Sequence, residues 1–212
     1  MHGIIRTSVA ISAAWLIAGA AAAQSPMGRV VLTPADSLSS LTWTPLTTDP
    51  QGDVAQRRLP DAKDLAYAID QKTGLVWFQL TVYEPLPDRW FGVNVAFDVD
   101  GNTDNGMVWW GTNKVKFDRL ASAYLSKTGE DWQGYAGVAD SESVQRGSMN
   151  NLTRDVKVAL DRERRAIVLG IPRSALGSAA SVRVVATVGS MLINNDDLPN
   201  EGMVTVTLQP RP

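Results

Sequence analysis

The chain contains no cysteine, and its single histidine is His2. Without cysteine there is no disulfide, no thiolate zinc site, no iron–sulfur cluster and no c-type haem attachment. Without a histidine beyond the first residues, the body of the chain holds no Ser-His-Asp triad and no His-ligated metal or haem. An excess of one charge is also missing: 20 Lys and Arg stand against 22 Asp and Glu, a formal net charge of −2. That balance offers no basic footprint for nucleic acid and no polybasic segment for an anionic membrane. The N-terminal apolar run, centred on Ser8 to Gly19, is about 12–15 residues, shorter than the ~20 that a bilayer span requires.

That run follows a short start carrying Arg6 and precedes Ala21-Ala22-Ala23, small residues of the kind a signal peptidase reads. The expectation is a signal peptide over residues 1–23, cleaved near Ala23, and a periplasmic or secreted protein with no membrane span once it is removed. An uncleaved anchor is the competing reading. No cysteine follows the run, which excludes a bacterial lipoprotein anchor. Residues 24–212 suffice for one sizeable hydrophobic core and are too few for two comfortable ones, so a single domain is expected.

What is present is a period of two. Leu65, Tyr67 and Ile69 alternate with Ala66 and Ala68; Val76, Phe78, Leu80 and Val82 with Trp77, Gln79 and Thr81; Phe91, Val93, Val95 and Phe97 with Gly92, Asn94 and Ala96. Each set lies on one face of a strand and faces a core. Asp70 to Gly74 and Glu84 to Asp88 read as the turns between them. Further on, Val156 to Leu160 and Ile167 to Ile171 flank the charged turn Asp161 to Arg165 as a hairpin. Val182 to Ala186 and Met203 to Leu208 read as two more strands. The one convincing helix start is Pro172, with Ser174-Ala175-Leu176 behind it and Gly177 stopping it after about a turn. Ala35 to Ala62 is turn-rich and polar, expected as an ordered loop packed across the fold. The pattern predicts an all-β antiparallel sandwich, jelly-roll or immunoglobulin-like, with at most one or two short helices.

The sharpest motif is Asp98-Val99-Asp100-Gly101-Asn102-Thr103-Asp104, directly after the strand ending at Phe97. Oxygen side chains at alternate positions of a tight turn can converge on one centre, and hard oxygen ligands suit calcium. The expected ligands are Asp98, Asp100, Asn102 and Asp104. Thr103 at the sixth position and Trp109 at the twelfth exclude an EF-hand; an ordinary Asx-rich turn is the alternative. Two further acidic stretches, Asp49 to Asp53 and Asn194 to Asp197, read singly as solvated turns, yet either could add ligands to a site shared across the fold.

Taken in order, D-P-x-G-D at Asp49, Pro60-Asp61-Ala62-Lys63-Asp64-Leu65, F-D-x-D at Phe97, Ile171 to Gly177, and D-x-P-N-E-G at Asp197 carry a resemblance. The chain resembles the carbohydrate-binding family 9-like, or DOMON-like, β-sandwich domains of secreted bacterial proteins. Such domains bind sugars, hold haem b or have no known ligand, so the resemblance implies a fold more firmly than a function.

A sugar site needs an aromatic face beside directed polar groups. Candidates are Trp90, Trp109, Trp110, Trp132 and Tyr135, with Asn94 or Asn113 as polar neighbours. Trp109 and Trp110, if on a strand, face opposite ways, so one is expected outside if the other is core. Haem-holding members of the family that the chain resembles use Met and Lys as axial ligands, for which this chain offers Met107, Met149, Met191, Met203, Lys114 and Lys116; no spacing selects a pair, and Met as filler is the plainer reading. Nucleophile elbow, phosphate loop and dinucleotide fingerprint are all missing, which leaves paired carboxylates and glycoside hydrolysis as the remaining enzymatic route. The expected function is an exported, non-catalytic module for a carbohydrate or other small polar ligand, with a structural calcium loop. The alternatives are an accessory exported domain without a small ligand and a haem-b electron-transfer subunit.

Overall fold

Alternation builds the strands here, and turn residues end them. A computed structural model of the protein describes residues 28–88, 91–111, 113–190 and 193–208. The expected signal peptide, Trp90 and Met191 lie outside the described residues. The strands are β1 (Gly28–Arg29), β2 (Thr44–Thr48), β3 (Ala62–Asp70), β4 (Leu75–Val82), β5 (Phe91–Asp98), β6 (Met107–Val108) and β7 (Lys116–Phe117). They continue as β8 (Arg119–Thr128), β9 (Asp131–Asp140), β10 (Lys157–Asp161), β11 (Ala166–Pro172), β12 (Ser181–Ser190), β13 (Ile193–Leu198) and β14 (Val204–Thr207). One short helix, α1 (Ser141–Gln145), and two 3-10 turns, Ala35–Leu38 and Arg173–Leu176, complete the described elements. The expected all-β sandwich is therefore present, with one short α-helix among the described residues.

The larger sheet has the order β1-β9-β8-β5-β12-β13, with β14 following β13 along the same strand β12; the smaller has the order β10-β11-β4-β3-β2. Every pairing between these strands is antiparallel. The main core lies between the two sheets and collects the expected faces: Val76, Phe78, Leu80 and Val82 from β4, and Phe91, Val93, Val95 and Phe97 from β5. Phe78 and Phe97 meet edge to face across the layers, ring centroids 5.4 Å apart.

Both outer faces are partly covered. The segment after the first 3-10 turn lays Leu38, Leu41 and Trp43 over Ala68, Trp77 and Val168 of the smaller sheet. So the stretch from Ala35 to Ala62 does pack across the fold, though it contributes β2 as well. On the larger sheet, the β6–β7 hairpin and α1 place Trp109, Phe117 and Val144 over Ala96, Leu120, Ala139 and Val185.

Two expectations about local structure are corrected. Asn194 to Asp197 is part of strand β13 and is largely buried, because pairing with β12 outweighs the turn preference of Asn and Asp. Trp109 and Trp110 follow β6 outside any strand, so their rings do not face opposite ways; they stack at 5.0 Å with 25° between planes.

Candidate functional site

Strand register sorts the outer face of the larger sheet into three rows. Val185, Ala96, Leu120 and Ala139 lie abreast on four neighbouring strands and form the apolar row under the β6–β7 hairpin. Two residues along each strand come Thr187, Asn94, Ser122 and Gly137, and pairing with Asp197 extends this polar row onto β13. Two further on are Gly189, Gly92, Tyr124 and Tyr135. The polar row is held from within: the Ser122 and Tyr124 hydroxyls both donate to Asn94 Oδ1, at 2.7 and 3.1 Å.

The third row is shaped by its glycines. A Cβ on Gly92 would lie 2.5 Å from the Tyr124 ring, so the ring rests over bare backbone. Tyr124 in turn stacks on Tyr135 at 5.5 Å and 22°. Burial pushes both hydroxyls above the ordinary tyrosine range, with the hydrogen-bonding side chains of Asn94 and Ser122 acting the other way on Tyr124. At the β13 end, the loop after β6 closes against the face. A Cβ on Gly111 would collide with the Asp197 carboxylate at 2.2 Å, and the Asn113 N–H donates to Asp197 Oδ2 at 3.0 Å.

The expected aromatic candidates separate by burial. Trp110 is 41 % exposed and rests flat on Trp109, which is 2 % exposed. Trp132 packs edge to face on Phe91 against the main core, and Tyr135 is half-buried. Asn94 and Asn113 are both buried, and the Asn113 amide is committed to Pro199 O and Gly202 O. Met107, Met149 and Met203 pack against the apolar row as filler, and Lys116 Nζ donates to Asp104 O.

The Asp98–Asp104 loop is satisfied largely by its own atoms. Asp98 is ion-paired with Arg183 and accepts from the Gly101 N–H; Asp100 accepts from Asn102 N and Asn105 Nδ2; Asn102 Oδ1 accepts from Asp104 N. The carboxylates that come together are Asp98, Asp100 and Asp118, so Asp104 stands outside the group and Asp118 takes a place that spacing did not suggest. A groove of about 410 Å³ opens beside Asp98, Asp100 and Arg183.

A second acidic group assembles where β13 meets the loop before β3. One carboxylate oxygen each from Asp49, Asp53, Asp61 and Asp196 all lie within 4.8 Å of one another. Asn195, the extra residue of a bulge in β13, accepts from Gln56 N at 2.7 Å and donates to Pro60 O at 2.9 Å, drawing that loop onto the strand. Asp196 Oδ2 accepts from the Ala62 N–H at 2.7 Å. Burial first, then the charge of Asp53, pushes the Asp49 carboxyl up to about 7. Burial also carries Asp196 to about 8, against the Ala62 N–H and with the charges of Asp49, Asp53 and Asp61 adding to it.

No protein family, no curated protein and no solved structure matches the chain. The site therefore has to be read from its own chemistry.

Proposed function

We propose that the protein is an exported, non-catalytic β-sandwich module whose outer larger-sheet face binds a carbohydrate or another small polar ligand. The observation that carries this reading is the exposed ring of Trp110, stacked on Trp109, on the loop whose Asn113 N–H meets Asp197 at the end of the polar row Asp197–Thr187–Asn94–Ser122–Gly137. A sheet face turned away from the core gains nothing from buried polar side chains unless they are hydrogen-bonded or serve a ligand. The side chains of the row are buried and bonded among themselves, so they brace the loop, and the ring it carries offers the flat surface that the apolar face of a sugar requires.

Trp110 is the exposed aromatic on the loop that closes this face, and Trp109 fixes its ring from behind. A pre-oriented ring gives up little entropy on binding, which suits weak, micromolar-to-millimolar recognition on the order of −4 to −8 kcal/mol. The ordered motifs that resemble carbohydrate-binding family 9-like domains support the same reading.

Titration of soluble glycans against tryptophan fluorescence tests it. Binding is expected to perturb the emission, and Trp110→Ala is expected to weaken binding by about tenfold or more, as an aromatic contact worth over a kilocalorie would. Trp132→Ala, at a ring packed against the main core, is expected to lower stability with little change in affinity. If no glycan perturbs the fluorescence, the carbohydrate reading fails and an accessory exported domain takes its place.

A further inference from the structure

We infer that Asp49, Asp53, Asp61 and Asp196 form a binding site for one hard divalent cation, of which calcium fits best, and that the ion fastens the loop before β3 to strand β13. The geometry comes first. Two ligands on opposite sides of a calcium ion, each at about 2.4 Å, stand about 4.8 Å apart. Four carboxylate oxygens that all lie within 4.8 Å of one another meet the distance requirement for sharing one such shell. Magnesium keeps several of its waters and is usually held through one or two carboxylates, so a group of four carboxylates suits calcium better.

An independent observation points to a missing partner. Asp49 and Asp61 are only 6 % and 4 % exposed, yet Asp49 Oδ2 and Asp61 Oδ1 are buried with no hydrogen-bond donor. Their other oxygens are already engaged, Asp49 Oδ1 by Asn200 Nδ2 and Asp61 Oδ2 by the Gly52 N–H. A buried carboxylate oxygen without a donor is costly, and two in one acidic group compound the repulsion. The cation that Lys63 could have supplied is turned away: its ammonium pairs with Asp64 at 3.7 Å. A bound divalent ion supplies the positive charge and accepts both free oxygens as ligands. Asp53 is exposed, which leaves a side open for entry and for water to complete the shell.

The arrangement also explains why these residues belong to three chain segments. Asp49 and Asp53 flank a turn, Asp61 immediately precedes β3, and Asp196 comes from the far end of the sequence. The Asn200 amide donates to both Asp49 and Asp53, holding those two carboxylates side by side. An ion here closes a long loop, the circumstance in which a cross-link constrains the unfolded chain most.

The test uses the full chain, stripped with chelator and dialysed, with calcium alone as the probe. Saturating calcium is expected to raise Tm by about 5–10 °C, the shift that a hundredfold excess over Kd produces in a domain of this size. Asp53→Asn, at the exposed member, and Asp196→Asn are each expected to abolish or strongly reduce that rise, whereas Asp100→Asn leaves it intact. A second readout needs no variant. Terbium bound beside Tyr83, whose hydroxyl donates to Asp49 O at 2.7 Å, should show tyrosine-sensitised emission that calcium displaces. A Tm indifferent to calcium, a rise that survives Asp53→Asn and Asp196→Asn together, or a rise removed by Asp100→Asn would each overturn the assignment.

Discussion

Asp140 shows how much a single carboxylate can organise at the residue scale. It is the N-cap of α1, accepting from Ser143 N at 2.7 Å, while its other oxygen accepts from Asn151 Nδ2 at 2.6 Å. These contacts tie the helix and the following segment over the larger sheet. The same bonds, the Ser143 N–H first and Asn151 next, hold the Asp140 carboxyl below its ordinary value. Asp140→Ala is therefore expected to cost about 1 kcal/mol near neutral pH. The sign follows from linkage: a folded pKa below the unfolded value of about 3.9 gives stability present above that pH and lost as pH falls through the folded pKa. Urea unfolding of both proteins at about pH 7 and about pH 2.5 checks it, and the gap should close in acid. A gap unchanged at low pH would show that ionisation is not its source. The sequence reading missed α1: Asp140 is a favourable capping residue with Glu142 in the first turn, but the helix is so short that no apolar period marks it.

Among the elements, β13 teaches most about what periodicity misses. Ile193–Leu198 carries two Asn and two Asp, a composition that favours turns, and only its pairing with β12 makes it a strand. β8 and β9 hide for another reason. Ala121, Ala123 and Leu125 face the core while Leu120, Ser122 and Tyr124 face outward, so neither side of β8 is clearly polar and no alternation shows. By contrast β4 and β5 were legible because their core faces are uniformly large and apolar. The bulge at Asn195 has a consequence that can be measured. Asn195→Ala removes the acceptor for Gln56 N and the donor to Pro60 O, each lost bond leaving a buried group at a cost of about 1–3 kcal/mol. The loop before β3 should loosen, and Arg57 and Arg58, both exposed, become the sites that report it. Trypsin is expected to cut there faster in the variant than in the parent, by mass spectrometry of the fragments. Equal cleavage would mean that the bulge does not anchor the loop.

At the scale of the whole molecule, the acidic group shows why part of the site could not be read along the chain. Its local motifs were visible and a shared site was among the expectations, but which residues meet was not legible: Ala62 and Asp196, joined by a hydrogen bond, are 134 positions apart. The same long-range closure governs cooperativity, because the two sheets share one core and neither buries its inner face alone. Phe97 is fully buried on β5 and meets Phe78 of β4 across the layers. Phe97→Ala opens a cavity at that junction and is expected to cost about 3–5 kcal/mol, a large share of the roughly 5–15 kcal/mol that a domain of this kind holds. Because the junction belongs to both sheets, the loss should be felt by both at once. Trp43 and Trp77 report the smaller sheet and its cover, while Trp109, Trp110 and Trp132 report the larger. Denaturant curves from tryptophan emission and from far-ultraviolet circular dichroism are expected to coincide in the parent and in Phe97→Ala, with the midpoint lowered and the slope kept. Separate transitions in the variant would show instead that each sheet, braced by its own outer cluster, can persist without the other.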